Sequence, residues 1–259
     1  MSIHETSIIH KSCEIDSSVE IGPYCLIGEG VNIKKGTKLL SHVVIKGPTT
    51  IGENNTFFQF STIGEDTPDK KFKGEKTKLE ILNNNVFREG VTVHRGTTQD
   101  KGITKIGSNN LLMPYFHIAH DCIVGSNNVF ANNGGIAGHV IVGNNVTIGA
   151  LTTVHQFCKL GDYSFLGMNT SISMDVPAFV KVAADPARVI GLNSVGMQRN
   201  KISLGSISLI KKAYKIVYRK SYKLDEAILK LKQLNEIEND INLDIFINSL
   251  ESSQRGILR

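Results

Sequence analysis

The sequence lacks the long apolar runs that membrane proteins need. No apolar stretch in its 259 residues approaches the roughly 18 residues that a membrane-spanning helix requires. A charged segment followed by an apolar one, the pattern of a secretory leader, is also missing after Met1. We therefore expect neither stable membrane insertion nor a secretory signal.

Cysteine is scarce, with four residues in the chain. Cys13, Cys25, Cys122 and Cys158 each follow an aliphatic residue by four positions, in a slot that small or β-branched residues fill elsewhere. This placement predicts reduced thiols that face a protein core, as opposed to disulfides or metal ligands. Such thiols are typical of a cytoplasmic protein.

The chain is rich in aliphatic residues that recur at every sixth position. The register runs from Ile9 to Ile63, returns from Ile81 to Val93, and then holds from Ile106 to Ile172. Six residues is the period of a β-helix repeat, and three such hexads complete one triangular coil. The 25 hexads predict a mainly β fold, a parallel β-helix of hexapeptide repeats over residues 1–185, with Ile3 opening a further coil. Outward residues such as Phe58, Tyr115 and Phe116 suit burial against another chain, so we expect a homotrimer.

Two stretches interrupt the repeat and predict inserted loops near residues 65–79 and 98–104. Beyond residue 185, apolar residues have helical spacing over 187–201, 203–220, 224–235 and 241–249. We therefore predict a C-terminal α-helical domain over residues 186–259. From Ala187 onward the chain has 13 Lys/Arg and 7 Asp/Glu, against a net charge of +5 for the whole. The basic charge thus belongs to the helices, where it fits either an acidic partner or ordinary solvated faces.

Histidines fall on one side of the predicted prism. His94, His120, His139 and His155 lie on four successive coils once the second interruption is allowed for, and His117 borders the same region. Neutral imidazoles suit general-base catalysis near neutral pH, whereas histidines at subunit boundaries can also bind zinc. Asp121 beside His120, and the backbone N–H of Gly138 one coil above, favour the base.

Several short segments resemble one known family. They are Ser41-His42-Val43-Val44, Thr92-Val93-His94-Arg95-Gly96-Thr97, Asn110-Leu111-Leu112-Met113, His117-Ile118-Ala119-His120-Asp121-Cys122, Ala137-Gly138-His139-Val140, Val154-His155-Gln156-Phe157-Cys158, Ala213-Tyr214-Lys215 and Arg255-Gly256-Ile257-Leu258-Arg259. In these the chain resembles the UDP-N-acetylglucosamine O-acyltransferases that start lipid A biosynthesis in Gram-negative bacteria. The resemblance implies a left-handed β-helix and transfer of a 3-hydroxyacyl chain from acyl carrier protein to the sugar 3-hydroxyl, with no cofactor and no nucleic acid.

The same resemblance implies roles for individual residues. His120 would be the general base, Asp121 would support its imidazolium, and the Gly138 amide would bind the oxyanion. The substrate-binding positions that it implies are Asp69, Lys71, His94, His117, His139, His155, Gln156, Asn193 and Arg199. The basic helices would suit acidic acyl carrier protein.

Two departures from the family pattern affect specificity. Val195 and Asn200 stand where relatives commonly have a carboxylate and a second cation, which affects the expected uridine-phosphate contacts. Met168 stands where relatives that take long acyl chains have glycine, and it predicts selection for roughly ten to twelve carbons by filling the volume of several methylenes.

Three other functions remain open at the level of sequence. The first is acyl transfer to an acceptor with an amine in place of the 3-hydroxyl, since some relatives form an amide. The second is a zinc-dependent trimeric β-helix hydrase, which would share the fold and the histidines. We assign no residue of this sequence as a metal ligand. A non-catalytic trimeric scaffold is the third, against which the His120-Asp121 pair argues.

Overall fold

The computed structural model describes residues 2–259, in which 28 short strands are followed by four helices. The first three coils contain β1 (Ser2–Ile3), β2 (Ile8–Ile9), β3 (Glu14–Ile15), β4 (Glu20–Ile21), β5 (Leu26–Ile27), β6 (Val31–Ile33), β7 (Lys38–Leu39), β8 (Val44–Ile45) and β9 (Thr49–Ile51). The next three contain β10 (Thr56–Phe57), β11 (Thr62–Glu65), β12 (Lys78–Ile81), β13 (Val86–Phe87), β14 (Thr92–His94), β15 (Ile103–Ile106), β16 (Leu111–Leu112), β17 (His117–Ile118) and β18 (Ile123–Val124). The last contain β19 (Val129–Phe130), β20 (Gly135–Ile136), β21 (Ile141–Val142), β22 (Thr147–Ile148), β23 (Thr153–Val154), β24 (Lys159–Leu160), β25 (Phe165–Leu166) and β26 (Ser171–Ile172).

Every third strand pairs in parallel, which makes three flat sheets and a triangular prism. The first sheet runs from β1 to β25, the second from β2 to β26, and the third from β3 to β24. Ile118 pairs with Ile136, and Ile136 pairs with Val154, so one turn of the chain returns to the same column of residues. The predicted parallel β-helix is confirmed.

The interior of the prism is filled by the residues of the six-residue repeat. Phe57 stacks on Phe87 with ring centroids 4.6 Å apart, and Phe116 stacks on Phe130 at 4.8 Å. Each such side chain stabilises the fold by about 1.5–3 kcal/mol through burial. Phe116 is fully buried, so the prediction that it faces another chain is wrong. It occupies the inward slot four positions after Leu112, where phenylalanine replaces the usual small residue.

The four cysteines are free thiols, as predicted, with Cys13 half-buried and the other three buried. The Cys122 thiol donates to the carbonyl oxygen of Ala137 at 3.2 Å. Burial raises the pKa of the Cys122 thiol to about 12 and that of Cys158 to about 11. These thiols therefore stay protonated and pack as small core side chains.

Two edges of the prism differ in the polar side chains that they carry. The histidine corner, between the second and third sheets, includes residues 66–77, 95–102, 119–122, 137–140 and 155–158. The asparagine corner, between the third and first sheets, includes residues 52–55, 82–85, 107–110, 125–128 and 143–146. Inserted loop 1 (residues 66–77) and inserted loop 2 (residues 95–102) both leave the prism at the histidine corner. Both differ slightly from the predicted ranges, because β11 and β12 extend into the first range, β15 extends into the second, and β14 ends at His94.

The first sheet continues past the last coil through β27 (Val180–Ala183) and β28 (Arg188–Leu192). β28 pairs antiparallel with β27, so the predicted helix over residues 187–201 is wrong in its first half. The unpaired backbone groups of an edge strand attract another strand, and this pairing overrides the helical spacing of the apolar residues.

Four helices follow: α1 (Ser194–Arg199), α2 (Leu204–Tyr218), α3 (Leu224–Glu238) and α4 (Ile241–Glu251). The chain then returns to the prism, where the buried Asp175 carboxylate accepts hydrogen bonds from the Ser253 hydroxyl and the amides of Gln254 and Arg255 at 2.8–3.1 Å. Asp175 therefore fastens the end of the chain to the last coil. Within residues 2–259, no helix is long and apolar enough to span a membrane.

Candidate active site

His120 and Asp121 lie at the histidine corner, directly after β17. The Nδ1 atom of His120 is 2.9 Å from Oδ2 of Asp121. The Asp121 carboxylate, which has no exposed side-chain surface, also accepts bonds from the Thr97 amide at 2.9 and 3.0 Å and from the Thr97 hydroxyl at 2.6 Å. The Thr104 hydroxyl in turn accepts from the Asp121 amide at 2.8 Å. The carboxylate is therefore fixed at the Nδ1 edge of the imidazole.

Burial alone would raise the pKa of the Asp121 carboxyl. The hydrogen bonds from His120, from the Thr97 hydroxyl and from the Thr97 amide outweigh it, so the pKa of Asp121 lies below its usual value. An ionised carboxylate accepts a hydrogen bond from the Nδ1–H group of His120. This leaves the Nε2 atom of His120 as the basic nitrogen.

Gly138 lies one coil above His120, with its backbone against the imidazole. A Cβ atom at Gly138 would lie 2.6 Å from Cε1 and 2.7 Å from Nε2 of His120, so any side chain there would displace the ring. Among the residues that the structure describes, none accepts a hydrogen bond from the Gly138 amide. The amide is thus available, next to the basic nitrogen, to stabilise a negatively charged oxygen.

His139 forms a second ordered imidazole beside the first. Its ring is perpendicular to that of His120, with centroids 5.0 Å apart and an interplanar angle of 89°. The Phe157 ring stacks on its face at 4.5 Å and 9°. The Nδ1 atom of His139 is 2.9 Å from Oδ2 of Asp100 in inserted loop 2. His139 is therefore held on three sides.

His94 and His117 form a more buried pair on the outer face of the second sheet. Their rings meet edge to face at 4.9 Å, and Nδ1 of His117 is 2.7 Å from the Thr92 hydroxyl. Burial, and then the neighbouring His117 and His120, lower the pKa of His94 to about 4. Burial and then His120 also lower the pKa of His117. Both rings are neutral near pH 7.

The remaining predicted residues of the histidine corner are more exposed. His155 and Gln156 lie one coil above His139, and Nδ1 of His155 is 3.1 Å from the Gln156 carbonyl oxygen. Asp69 and Lys71 lie in inserted loop 1, where the Asp69 carboxylate accepts a bond from the Lys71 amide at 2.9 Å. The predicted alignment of the four histidines on one side is thus observed, although only His120 and His139 have stacked or edge contacts with each other there.

Three predicted residues lie away from this corner. Met168 lies at the edge of the prism where the first and second sheets meet, and it is 68% exposed. Arg199 lines a groove of about 810 Å³ between α1 and the outer face of the first sheet. Asn193 caps α1 through a bond from the Gly196 amide at 3.0 Å and donates to the Tyr163 carbonyl at 2.9 Å. The structure thus gives Asn193 a helix-capping role, and its contact with substrate stays a prediction.

The cluster also has the composition of a metal site. His120, Asp121 and His139 each place one possible ligand atom within 4.8 Å of the others. However, both Asp121 oxygens accept protein hydrogen bonds, and Nδ1 of His139 is bonded to Asp100. Metal binding would therefore require several of these bonds to break, whereas proton transfer uses them as they are.

Sequence reasoning missed Thr97, Thr104 and Asp100, which hold the two imidazoles in place, and Phe157, which stacks on one. The signal that could have found them is the position of inserted loop 2 in the repeat. Inserted loop 2 separates the coil of His94 from the coil of His120, so its residues had to emerge at the corner where the histidines lie.

Comparisons with known proteins are consistent along the whole chain. The profile of the family described as "Udp N-acetylglucosamine O-acyltransferase; Domain 2" matches residues 175–258. Proteins named acyl-[acyl-carrier-protein]–UDP-N-acetylglucosamine O-acyltransferase are 46% identical over 257 residues in Stutzerimonas stutzeri and 47% identical over 257 residues in Saccharophagus degradans. In both cases the alignment covers 99% of this chain and 99% of the relative.

Solved structures agree with these relatives. The crystal structure of UDP-N-acetylglucosamine O-acyltransferase (LpxA) from Moraxella catarrhalis superposes with a TM-score of 0.97 at 47% identity and covers 100% of both chains. The structure of LpxA from Acinetobacter baumannii gives a TM-score of 0.95 at 50% identity and covers 99% of both chains.

Proposed function

The chain belongs to the acyl-[acyl-carrier-protein]–UDP-N-acetylglucosamine O-acyltransferases, and from that premise we propose that His120 is the base of its transfer reaction. The reaction moves a 3-hydroxyacyl chain from acyl carrier protein to the 3-hydroxyl of UDP-N-acetylglucosamine, the step that starts lipid A biosynthesis. One observation carries the assignment of the base. His120 has Nδ1 bonded to a buried carboxylate and Nε2 beside the backbone of Gly138, whose amide has no acceptor among the described residues.

In the first step, Nε2 of His120 takes the proton of the sugar hydroxyl as the hydroxyl oxygen attacks the thioester carbonyl carbon. The Asp121 carboxylate stabilises the imidazolium that forms and keeps the ring in the tautomer with the proton on Nδ1. The carbonyl π electrons move to oxygen. The Gly138 amide is placed to donate to that oxyanion.

In the second step, the tetrahedral intermediate collapses and the carbon–sulfur bond breaks. The leaving thiolate of the carrier takes the proton that Nε2 of His120 holds, which restores the neutral imidazole. The products are an ester at the sugar hydroxyl and a free thiol. No cofactor is needed, because the thioester already supplies an activated acyl group.

A homotrimer is part of this proposal, and the arrangement of the site supports it. In a triangular coil the histidine corner lies opposite the first sheet, on which the groove of Arg199 is built. His120 and Arg199 of one chain therefore face different sides of the prism. If both bind the same nucleotide sugar, they must come from neighbouring subunits, and closed symmetry then repeats the site.

The donor side of the proposal concerns acyl carrier protein. The helical region has 13 Lys/Arg and 7 Asp/Glu from Ala187 onward, which suits an acidic partner. Met168, exposed between the first and second sheets, would limit the acyl chain to roughly ten to twelve carbons. The free thiols support a reducing, cytoplasmic location.

The test is a transfer assay with UDP-N-acetylglucosamine and 3-hydroxyacyl carrier proteins of graded chain length. Wild type should acylate the sugar, and His120→Ala should not. His10→Ala is the matched control, because His10 lies at the same edge in the first coil, where Ser12 is the only hydrogen-bond partner of its ring among residues 2–259. Transfer only to the 3-amino sugar would show that this sugar, and not UDP-N-acetylglucosamine, is the acceptor. No transfer to either sugar would contradict the proposal.

A second assay addresses the shared site. His120→Ala and Arg199→Ala should each be inactive alone. Unfolding and refolding them together should restore transfer, since mixed trimers contain sites with both residues intact. Activity that stays at the level of the separate variants would contradict a site built from two subunits.

A further inference from the structure

Inserted loop 2 supplies the one hydrogen-bond partner of the His139 ring within residues 2–259. Oδ2 of Asp100 is 2.9 Å from Nδ1 of His139, although the two residues are 39 positions apart in sequence. The His139 side chain is 13% exposed and that of Asp100 is 37% exposed. The contact therefore joins a largely buried ring to a loop at the protein surface.

The loop does not need this contact to hold its own shape. Its first turn is anchored by the Thr97 amide and hydroxyl on the Asp121 carboxylate, and the Asp100 amide is 3.4 Å from the Thr97 carbonyl oxygen. The Asp100 carboxylate makes no ion pair with a lysine or arginine among the described residues. Within residues 2–259 the imidazole is the only side-chain partner of this carboxylate, which points to a role exerted on His139.

A carboxylate at Nδ1 selects one form of a neutral imidazole. Nδ1 carries the proton and donates it, so Nε2 becomes a hydrogen-bond acceptor. His120 is held in the same form by Asp121. The two rings, 5.0 Å apart, therefore present two acceptor nitrogens, which fit a substrate with neighbouring hydroxyl donors such as a sugar.

We propose that Asp100 is a positioning residue that fixes the tautomer and orientation of His139 for binding of the acceptor sugar. This inference rests on the proposed function, since the sugar is the acceptor named there. Asp100 acts through His139, and Phe157 completes the arrangement by stacking on a face of the ring. Inserted loop 2 then serves both imidazoles, one through Thr97 and Asp121 and the other through Asp100.

The kinetic test compares Asp100→Ala and Asp100→Asn with wild type. Asp100→Ala should raise the KM for UDP-N-acetylglucosamine roughly ten-fold and leave the KM for the acyl carrier protein unchanged, because only one substrate loses an ordered partner. The KM of Asp100→Asn should lie between these two values, since the residue-100 side chain has no other hydrogen-bond partner among the described residues and can rotate its amide oxygen toward Nδ1. Gln99→Ala, an exposed neighbour in the same loop, is the matched control and should behave as wild type.

A double-mutant cycle separates action through His139 from a general effect on the loop. In the His139→Ala background, Asp100→Ala should cause no further rise in KM. Additive effects of the two substitutions would overturn the proposal. So would an equal rise in both KM values.

A readout without catalysis keeps this inference separate from the proposed function. The ¹⁵N NMR spectrum of labelled protein reports which ring nitrogen of His139 carries the proton, with the signal assigned by its loss in His139→Ala. The proton should be on Nδ1 in wild type and be distributed over both nitrogens in Asp100→Ala. An unchanged spectrum would overturn the role of Asp100 even if transfer is observed, whereas a changed spectrum without transfer would count against the proposed function alone.

Discussion

The histidine corner and the asparagine corner have the same backbone geometry but differ in how their polar side chains are hydrogen-bonded. Asp121 and His139 have φ angles of 58° and 64°, and Asn109 and Asn127 both have 60°. At the asparagine corner, the buried amides of Asn85, Asn110 and Asn128 bond to one another and to backbone groups at 2.9–3.1 Å. At the histidine corner, His120 and His139 each have one ring nitrogen hydrogen-bonded and the other without a partner in the described part of the chain.

The difference shows how one repeat supports both stability and chemistry. Buried polar groups that are fully hydrogen-bonded stabilise the stack of coils, because nothing is left unsatisfied. An imidazole with one free nitrogen contributes little to the fold but can accept a proton. Substitutions at the two corners should therefore separate activity from stability.

The largest expected effect is on catalysis at the histidine corner. Asp121→Asn should lower kcat by roughly 10²–10⁴-fold, because an amide can donate to Nδ1 and so place the imidazole proton on the wrong nitrogen. Steady-state transfer assays measure it. Asp162→Asn is the matched control: Asp162 accepts from the Asn144 amide at 3.0 Å, which asparagine also can do, so its kcat should not change. Equal losses in both variants would contradict the division between corners.

The next effect is on stability at the asparagine corner. Asn110→Ala should lower the free energy of unfolding by about 2–3 kcal/mol, because it removes two donated bonds and leaves the Asn128 amide without its acceptor. Denaturant unfolding measures this change. The kcat of the folded variant should stay near that of wild type, and Asn109→Gly, at an exposed position with φ of 60°, should be nearly neutral. A large loss of kcat would show that the asparagine corner also serves catalysis.

A third comparison concerns the remaining edge, between the first and second sheets. Met168→Gly should shift the preferred acyl chain by about two to four carbons and change the preference between long and short donors by at least roughly ten-fold. The added space would admit further methylenes. Competition between donors of different length measures it. An unchanged preference would remove Met168 as the determinant of chain length.

The smallest effect is a pH dependence of stability from His94. Its pKa is about 4 in the folded protein against an ordinary value of 6.5, so the unfolded chain takes up the proton first as pH falls. The stability from keeping His94 neutral is present above pH 6.5 and is lost between pH 6.5 and 4. His94→Gln should therefore lose less stability than wild type over this range, measured as unfolding midpoints. Parallel losses in both proteins would contradict the assignment.

The sequence predicted the prism well because the interior accepts one kind of residue at a fixed interval. The same period placed His94, His120, His139 and His155 on one side, since a column of residues repeats with each coil. Prediction failed where tertiary contacts decide the outcome. β28 forms because β27 offers an edge, and Phe116 turns inward because a phenylalanine can fill a slot that small residues usually take.

The candidate site was predictable in its central residues and not in the residues that hold them in place. His120, Asp121 and Gly138 follow from spacing and resemblance. Asp100 and Thr97 lie in a loop without periodicity, and their contacts depend on how that loop folds back over the corner. Nothing in the local sequence of residues 95–102 states which carboxylate or hydroxyl will meet which ring.

The most direct test of the account measures kcat and the free energy of unfolding on His120→Ala and Asn110→Ala together. We predict that His120→Ala loses transfer by roughly 10²-fold or more with an unfolding free energy near wild type. Asn110→Ala should show the reverse pattern. If His120→Ala retains transfer, or if each variant loses both properties to the same degree, the assignment of chemistry to one corner and stability to the other is wrong.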